Sequence, residues 1–158
     1  MTRSFDPSRD LTISRIIKAP RAAVWDAWAD RARFEQWWVP APARCRVVEM
    51  ELRPGGSFVT RISEDGGDFM PHMNACFLAV DDLERIVFTD ALTGGWRPAE
   101  QPFMAAVITF KDHPEGTDYA AHVMHKSDAD RNMHQELGFY DGWDTVMEQL
   151  AKLVEPGV

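Results

Sequence analysis

The chain of 158 residues is 45% hydrophobic and 27% charged, which suits one globular domain and excludes both a multidomain machine and a disordered chain. Lys and Arg total 17 against 25 Asp and Glu, a net charge of −8, which repels phosphate backbones and anionic headgroups and argues against nucleic acid or membrane insertion as a partner. At this length roughly 68–70% of the unfolded surface can be buried, so neither disulfides nor metal are needed to hold a core.

The first ten residues carry Asp6, Pro7 and Ser8 without periodicity and read as a flexible N-terminal arm, leaving residues 11–155 as a single domain. They hold no apolar signal core, and no run approaches a membrane span, so the expected location is cytoplasmic. Cys45 and Cys76 are far apart in strand-like stretches, which predicts buried free thiols.

Residues 11–18 alternate, with Leu11, Ile13 and Ile17 on one face, and predict a half-buried strand. Pro20 follows, then Val24, Trp25 and Trp28 at helical spacing, and Asp30 is placed to cap a second short helix over RARFEQWW, ended by Pro40 and Pro42. Adjacent helical residues point about 100° apart, so Trp37 and Trp38 cannot share one core surface equally, and one of them is free to wall a pocket.

From residue 45 the period drops towards two. Strands are predicted over 45–52 and 57–63 around the Arg53-Pro54-Gly55-Gly56 turn, then over 69–80, 86–90, 103–110 and 117–126, with residues 93–102 as a loop rich in Gly and Pro. Pro71 requires an edge, a bulge or a strand start. From Ser127, with Asp130 three residues on as a capping box, the residues Met133, Leu137, Tyr140, Trp143, Met147, Leu150 and Val154 form an apolar stripe that predicts one long helix of about 27 residues, some 40 Å. The order is that of an α+β fold, a curved antiparallel sheet of about seven strands around a long C-terminal helix, with two short helices after the first strand.

Gly138 and Gly142 each cost that helix about 1 kcal/mol relative to Ala. Close approach of another backbone, a bend, or room for a ligand are the three explanations. His72, Asn74, His122 and His125 are polar residues on strands. His122 and His125 lie an odd number of residues apart and face opposite sides, so they cannot chelate one metal, and no metal or cofactor is expected. His134 is expected to face solvent. Asp90 and Arg97 bracket TGGWRP, either as a surface ion pair or as a flap in which Trp96 covers a ligand, Arg97 holds a carboxylate and Gly94-Gly95 is the hinge. The nucleophile-elbow, zincin, phosphate-loop and dinucleotide motifs are absent.

The ordered segments APRAAVWDAWAD, FEQWWVP, ELRPGGSF, ERIVFTD and GFYDGWDTVMEQLAKL resemble the bacterial branch of the activator of heat-shock protein 90 ATPase homologue family, within the START-like (polyketide cyclase and birch-pollen-allergen-like) superfamily. The resemblance runs from about Leu11 to Val154 and implies a helix-grip fold with a cavity between sheet and C-terminal helix. Trp38 and Pro40 match its WW-P element, Arg53 to Gly56 its turn, and Gly138, Phe139, Gly142 and Trp143 its helix. Superfamily members bind lipids, sterols, hormones or polyketides, and some catalyse cyclisation or hydrolysis.

The leading expectation is therefore a pocket for a small hydrophobic or amphipathic molecule, lined by Trp38, His72, Asn74, Trp96, His122, Phe139 and Trp143. A cyclase, dehydratase or hydrolase would use His72 or His122 as acid and base with Asp90 or Arg97 as polarising partner. An interaction module would act on a chaperone or a second copy of the chain, which is a monomer or a homodimer.

Overall fold

The computed structural model describes residues 4–156. Its seven-stranded sheet is antiparallel throughout, in the order β1 (Asp10–Ile17), β9 (Gly116–His125), β8 (Met104–His113), β5 (Arg85–Thr89), β4 (Met70–Asp81), β3 (Ser57–Ser63) and β2 (Arg44–Met50). A two-stranded ribbon, β6 (Leu92–Thr93) and β7 (Arg97–Pro98), stands in the segment expected to be a plain loop. The helices are α1 (Arg21–Ala29), α2 (Arg31–Phe34), α3 (Asp128–Glu136) and α4 (Phe139–Val154). No helix among the described residues is long and apolar enough to cross a membrane.

The alternation read along the strands reports the faces correctly. Leu11 and Ile17 of β1 are buried beside Val123 and Thr117 of β9, and Phe58 and Thr60 of β3 and Phe88 of β5 are buried too. Arg9, within the stretch read as an arm, packs against the end of β9, its carbonyl accepting from the backbone N–H of His125 at 3.0 Å. Residues 1–3 of that stretch lie outside the described residues. Cys45 and Cys76 are buried and free, and burial with the nearby Glu35 charge pushes the Cys45 thiol up to about 12.

Asp30 caps α2 as expected, accepting from the Arg33 N–H at 3.1 Å, but the helix stops at Phe34 rather than running through both tryptophans. The N–H groups of Trp37 and Trp38 both turn back to the Phe34 carbonyl at 3.2 Å, and the Trp37 indole donates to the Ala27 carbonyl at 3.0 Å. This turn lets both indoles be buried, packed edge-on 5.5 Å apart. Across the fold, the Gln149 side chain of α4 donates to the carbonyls of Trp37 and Val39 and accepts from the Ala41 N–H, fastening that turn to the helix.

The C-terminal helical stretch is broken rather than continuous. Ser127 caps α3, but Gly138 adopts φ +97° and serves as the N-cap of α4. The N–H of Gly138 closes on the Gln135 carbonyl at 3.0 Å, the left-handed ending that glycine favours because it has no Cβ to clash. The apolar stripe is therefore split. Met147 and Leu150 are buried, whereas Leu137 is 76% exposed and Met133 and Tyr140 are exposed as well. A Cβ at Gly138 would meet nothing within 4 Å, so Gly138→Ala is expected to cost only the left-handed strain, about 1–2 kcal/mol in urea unfolding.

Candidate functional site

Where α4 departs from the sheet, a recess of about 680 Å³ opens between them. Ile62 of β3, His72 and Met73 of β4 and Met104 of β8 form its floor, Phe139, Gly142, Trp143 and Val146 of α4 its roof, and Trp38, Phe103 and His134 its sides. Trp38 is held 6.2 Å from Trp143 and 5.2 Å from Trp28 between ring centroids. Its indole N–H is buried without a partner among the described residues, which in a native interior calls for an explanation.

His72 reaches the floor through a β-bulge. Thr60 pairs with Met73 and Arg61 with Pro71, leaving His72 as the extra residue. The bulge turns its ring onto the buried Thr60 hydroxyl, 2.9 Å from Nδ1, as bulges re-aim side chains elsewhere. Although the residue as a whole is exposed, loss of hydration around the ring holds its pKa below the ordinary value, against the opposing charge of Glu64. Pro71 meets its restriction beside this bulge.

His134 lies in the wall and not, as expected, in solvent. The break at Gly138 folds α3 back across the end of β9, where His134 Nδ1 stands 2.9 Å from His125 Nε2, and His125 Nδ1 donates to the Arg9 carbonyl at 2.8 Å. Phe103 and Phe139 enclose the ring at 4.9 and 5.0 Å. Burial first, and the neighbouring His125 second, lower its pKa to about 4, with Asp90 acting in the opposite sense. An unfolded chain takes up this proton near pH 6.5 and the folded one only near 4, so stability is complete above the unfolded value and falls as pH drops through that window. Because the ring is partly solvated, its share of the loss between pH 7 and pH 4.5 is about 1–2 kcal/mol in urea unfolding, and His134→Phe is expected to lose less by that amount.

Of the residues singled out in the sequence, Trp38, His72, Phe139 and Trp143 line the recess. Asn74 and Asp90 belong with His72 to an adjoining hollow of about 410 Å³. Asp90 makes no ion pair with Arg97. Its Oδ1 accepts from the backbone N–H groups of Phe103 and Met104 at 2.8 and 3.0 Å, closing the loop onto β8.

Trp96 and Arg97 are outside both spaces. The β6–β7 ribbon docks on the β2–β3 turn instead of folding over a ligand. Trp96, 51% exposed, lies so close to Gly55 that a Cβ there would come within 2.6 Å of its Nε1, and a Cβ on Gly94 would strike the Ser57 hydroxyl. In this structure Gly94 and Gly95 thus hold the ribbon on the turn and not over the recess. His122 is on the other face of the sheet, in register with Thr12 and Val107, bonded to buried Asp10 at 2.8 Å and tilted against Phe5. The odd spacing of His122 and His125 does separate them, but His125 is the inward one. An acid and base pair from His122 or Arg97 is thus not assembled, and His72 and Asp90 share a hollow without a hydrogen bond between them among the described residues.

His134, Met73 and Phe103 were missed. The inward phase of His125 was legible from Val123 and Ala121, but its meeting with His134 was not, since that depends on the direction in which α3 leaves β9.

A family model described as "Activator of Hsp90 ATPase homolog 1-like protein" matches residues 18–155. A protein of Nitrosomonas europaea known from a crystal structure is 37% identical, with a TM-score of 0.86 over 94% of this chain and 96% of that one. A Mycobacterium smegmatis protein shares the fold at 23% identity and a TM-score of 0.78, covering 96% and 94%, and an AHSA1-like protein of Aeromonas hydrophila does so at 17% and 0.64, covering 92% and 91%. No curated protein matches the chain.

Proposed function

Since the chain belongs to the family of Activator of Hsp90 ATPase homolog 1-like proteins, we propose that it binds a small hydrophobic or amphipathic molecule in the recess between α4 and the sheet. The observation that carries this reading is the aromatic wall. Trp38, Phe103, Phe139 and Trp143 bound a space of about 680 Å³, within the ordinary size of small-molecule sites, with a few polar atoms set among apolar ones. Gly142 supports it from another side. A Cβ on this glycine would meet nothing within 4 Å, so of the three explanations open for a glycine there, room for a ligand is the one its surroundings favour.

Trp38 and Trp143 make the test direct. The neutral probe N-phenyl-1-naphthylamine is expected to bind saturably at one site per chain, with energy transfer from tryptophan. Absence of saturable binding by this probe and by a broad panel of apolar molecules would defeat the reading. The enzymatic alternative has less support, because His122 is on the other face of the sheet, Arg97 is outside both spaces, and His72 and Asp90 share a hollow without a hydrogen bond between them among the described residues.

A further inference from the structure

The polar groups of the recess are few, and the unpartnered Trp38 N–H is a donor among them. Among the residues that line it there is no Lys or Arg, and the ionisable ones are Glu64, His72 and His134. An anionic ligand would leave water here without a countercharge, at a cost of several kcal/mol. The aromatic rings around the space favour a flat, apolar body.

The hydrogen-bond chain behind His134 specifies the rest. A backbone carbonyl only accepts, so the Arg9 oxygen, 2.8 Å from His125 Nδ1, requires the proton of His125 to be on that nitrogen. With both rings uncharged, His125 Nε2 is then an acceptor, and His134 Nδ1, 2.9 Å away, must be the donor. His134 is left as the Nδ1–H tautomer. Its Nε2, without a partner among the described residues, carries a bare lone pair. A carboxylate meets that atom as acceptor against acceptor, whereas a hydroxyl can donate to it. The low proton affinity of His134, caused by burial and by His125, agrees with an uncharged ring.

We infer that the recess selects a small aromatic molecule whose polar end is an uncharged hydroxyl, donated to His134 Nε2 through a tautomer imposed by the Arg9, His125 and His134 chain. This inference rests on the binding reading given above and adds to it the chemical class of the ligand and the residue that recognises it.

Calorimetric titration of the full chain near neutral pH with 2-naphthol, naphthalene and 2-naphthoate tests it. One net hydrogen bond corresponds to 2-naphthol binding about 5- to 10-fold tighter than naphthalene, with 2-naphthoate the weakest. In His134→Phe, which keeps a ring of similar size in the wall, the ratio of 2-naphthol to naphthalene affinity is expected to fall to about one, whatever the change in naphthalene binding itself.

Equal or tighter binding of 2-naphthoate, or an advantage of 2-naphthol that survives His134→Phe, overturns the inference. If naphthalene and N-phenyl-1-naphthylamine bind and 2-naphthol has no advantage, the inference fails and the binding reading stands. If none of these probes binds the wild-type chain, both fall. Long-range ¹H–¹⁵N spectra of the unliganded protein give a readout independent of any variant. The Nδ1–H tautomer is expected for His134, and an Nε2–H tautomer overturns the inference.

Discussion

Trp28→Ala is expected to remove about 3–5 kcal/mol of stability, a large part of the 5–15 kcal/mol typical of a domain. Trp28 is fully buried, and its ring lies within 5.0 to 6.3 Å of Phe34, Trp37, Trp38, Phe58 and Phe88. It is the residue through which the turn after α2 and the sheet are packed together. The cost has a polar part as well. Its Nε1–H donates to the buried Tyr119 hydroxyl at 2.9 Å, whose own ionisation burial opposes.

Tyr119→Phe alone would strand that N–H at about 1–3 kcal/mol. Adding it to Trp28→Phe should cost less than the sum of the single changes, because the donor is then already gone. Urea unfolding of Trp28→Phe, Tyr119→Phe and their double variant checks this, and a loss below about 1 kcal/mol for Trp28→Ala would show that the cluster closes over the gap. The same ring backs Trp38 in the recess wall, so probe binding should weaken along with stability.

Gly142→Leu is expected to separate stability from binding. Gly142 is inside α4 with nothing within 4 Å of a built Cβ, so Leu recovers the helix cost of glycine, about 0.5–1 kcal/mol in folding stability. Its branches extend into the space that Gly142 lines and should lower the affinity for N-phenyl-1-naphthylamine by about ten-fold or more, the equivalent of one poorly accommodated side chain. Gly142→Ala should keep the gain with little loss of affinity. A more stable Gly142→Leu with undiminished probe binding would place the probe elsewhere on the protein. A gain in stability at the expense of binding is what a site left open for a ligand predicts.

Local periodicity identified the elements because each strand and helix buries one face, whichever partner it meets. β3 falls on the residues expected, and the other strands of the seven-stranded sheet differ only by short extensions or losses at their ends. Three segments depart from that rule, each for its own reason. α2 ends early because the Trp37 indole finds the Ala27 carbonyl. The TGGWRP segment becomes a ribbon because Trp96 and Gly94 meet the β2–β3 turn. The C-terminal stripe breaks because Gly138 takes a positive φ. In the first two a partner in another element competes with the local pattern, and in the third a single dihedral choice outweighs an otherwise helical one.

For the site the division is sharper. Residues on the face of one element, such as Phe139, Gly142 and Trp143 on α4, were legible because a helix presents them together. The sequence by itself determined the order of elements, the sheet-and-helix architecture, the inward and outward phases along each strand, and the aromatic stock from which the recess is walled. Only the tertiary structure decided that the inward His125 meets His134, that a bulge delivers His72 to the floor, and that His134 closes the side. Periodicity states which face of an element is buried. Sheet register, the bulge and the left-handed turn at Gly138 set which side chains from separate elements meet, and those depend on packing across the whole chain.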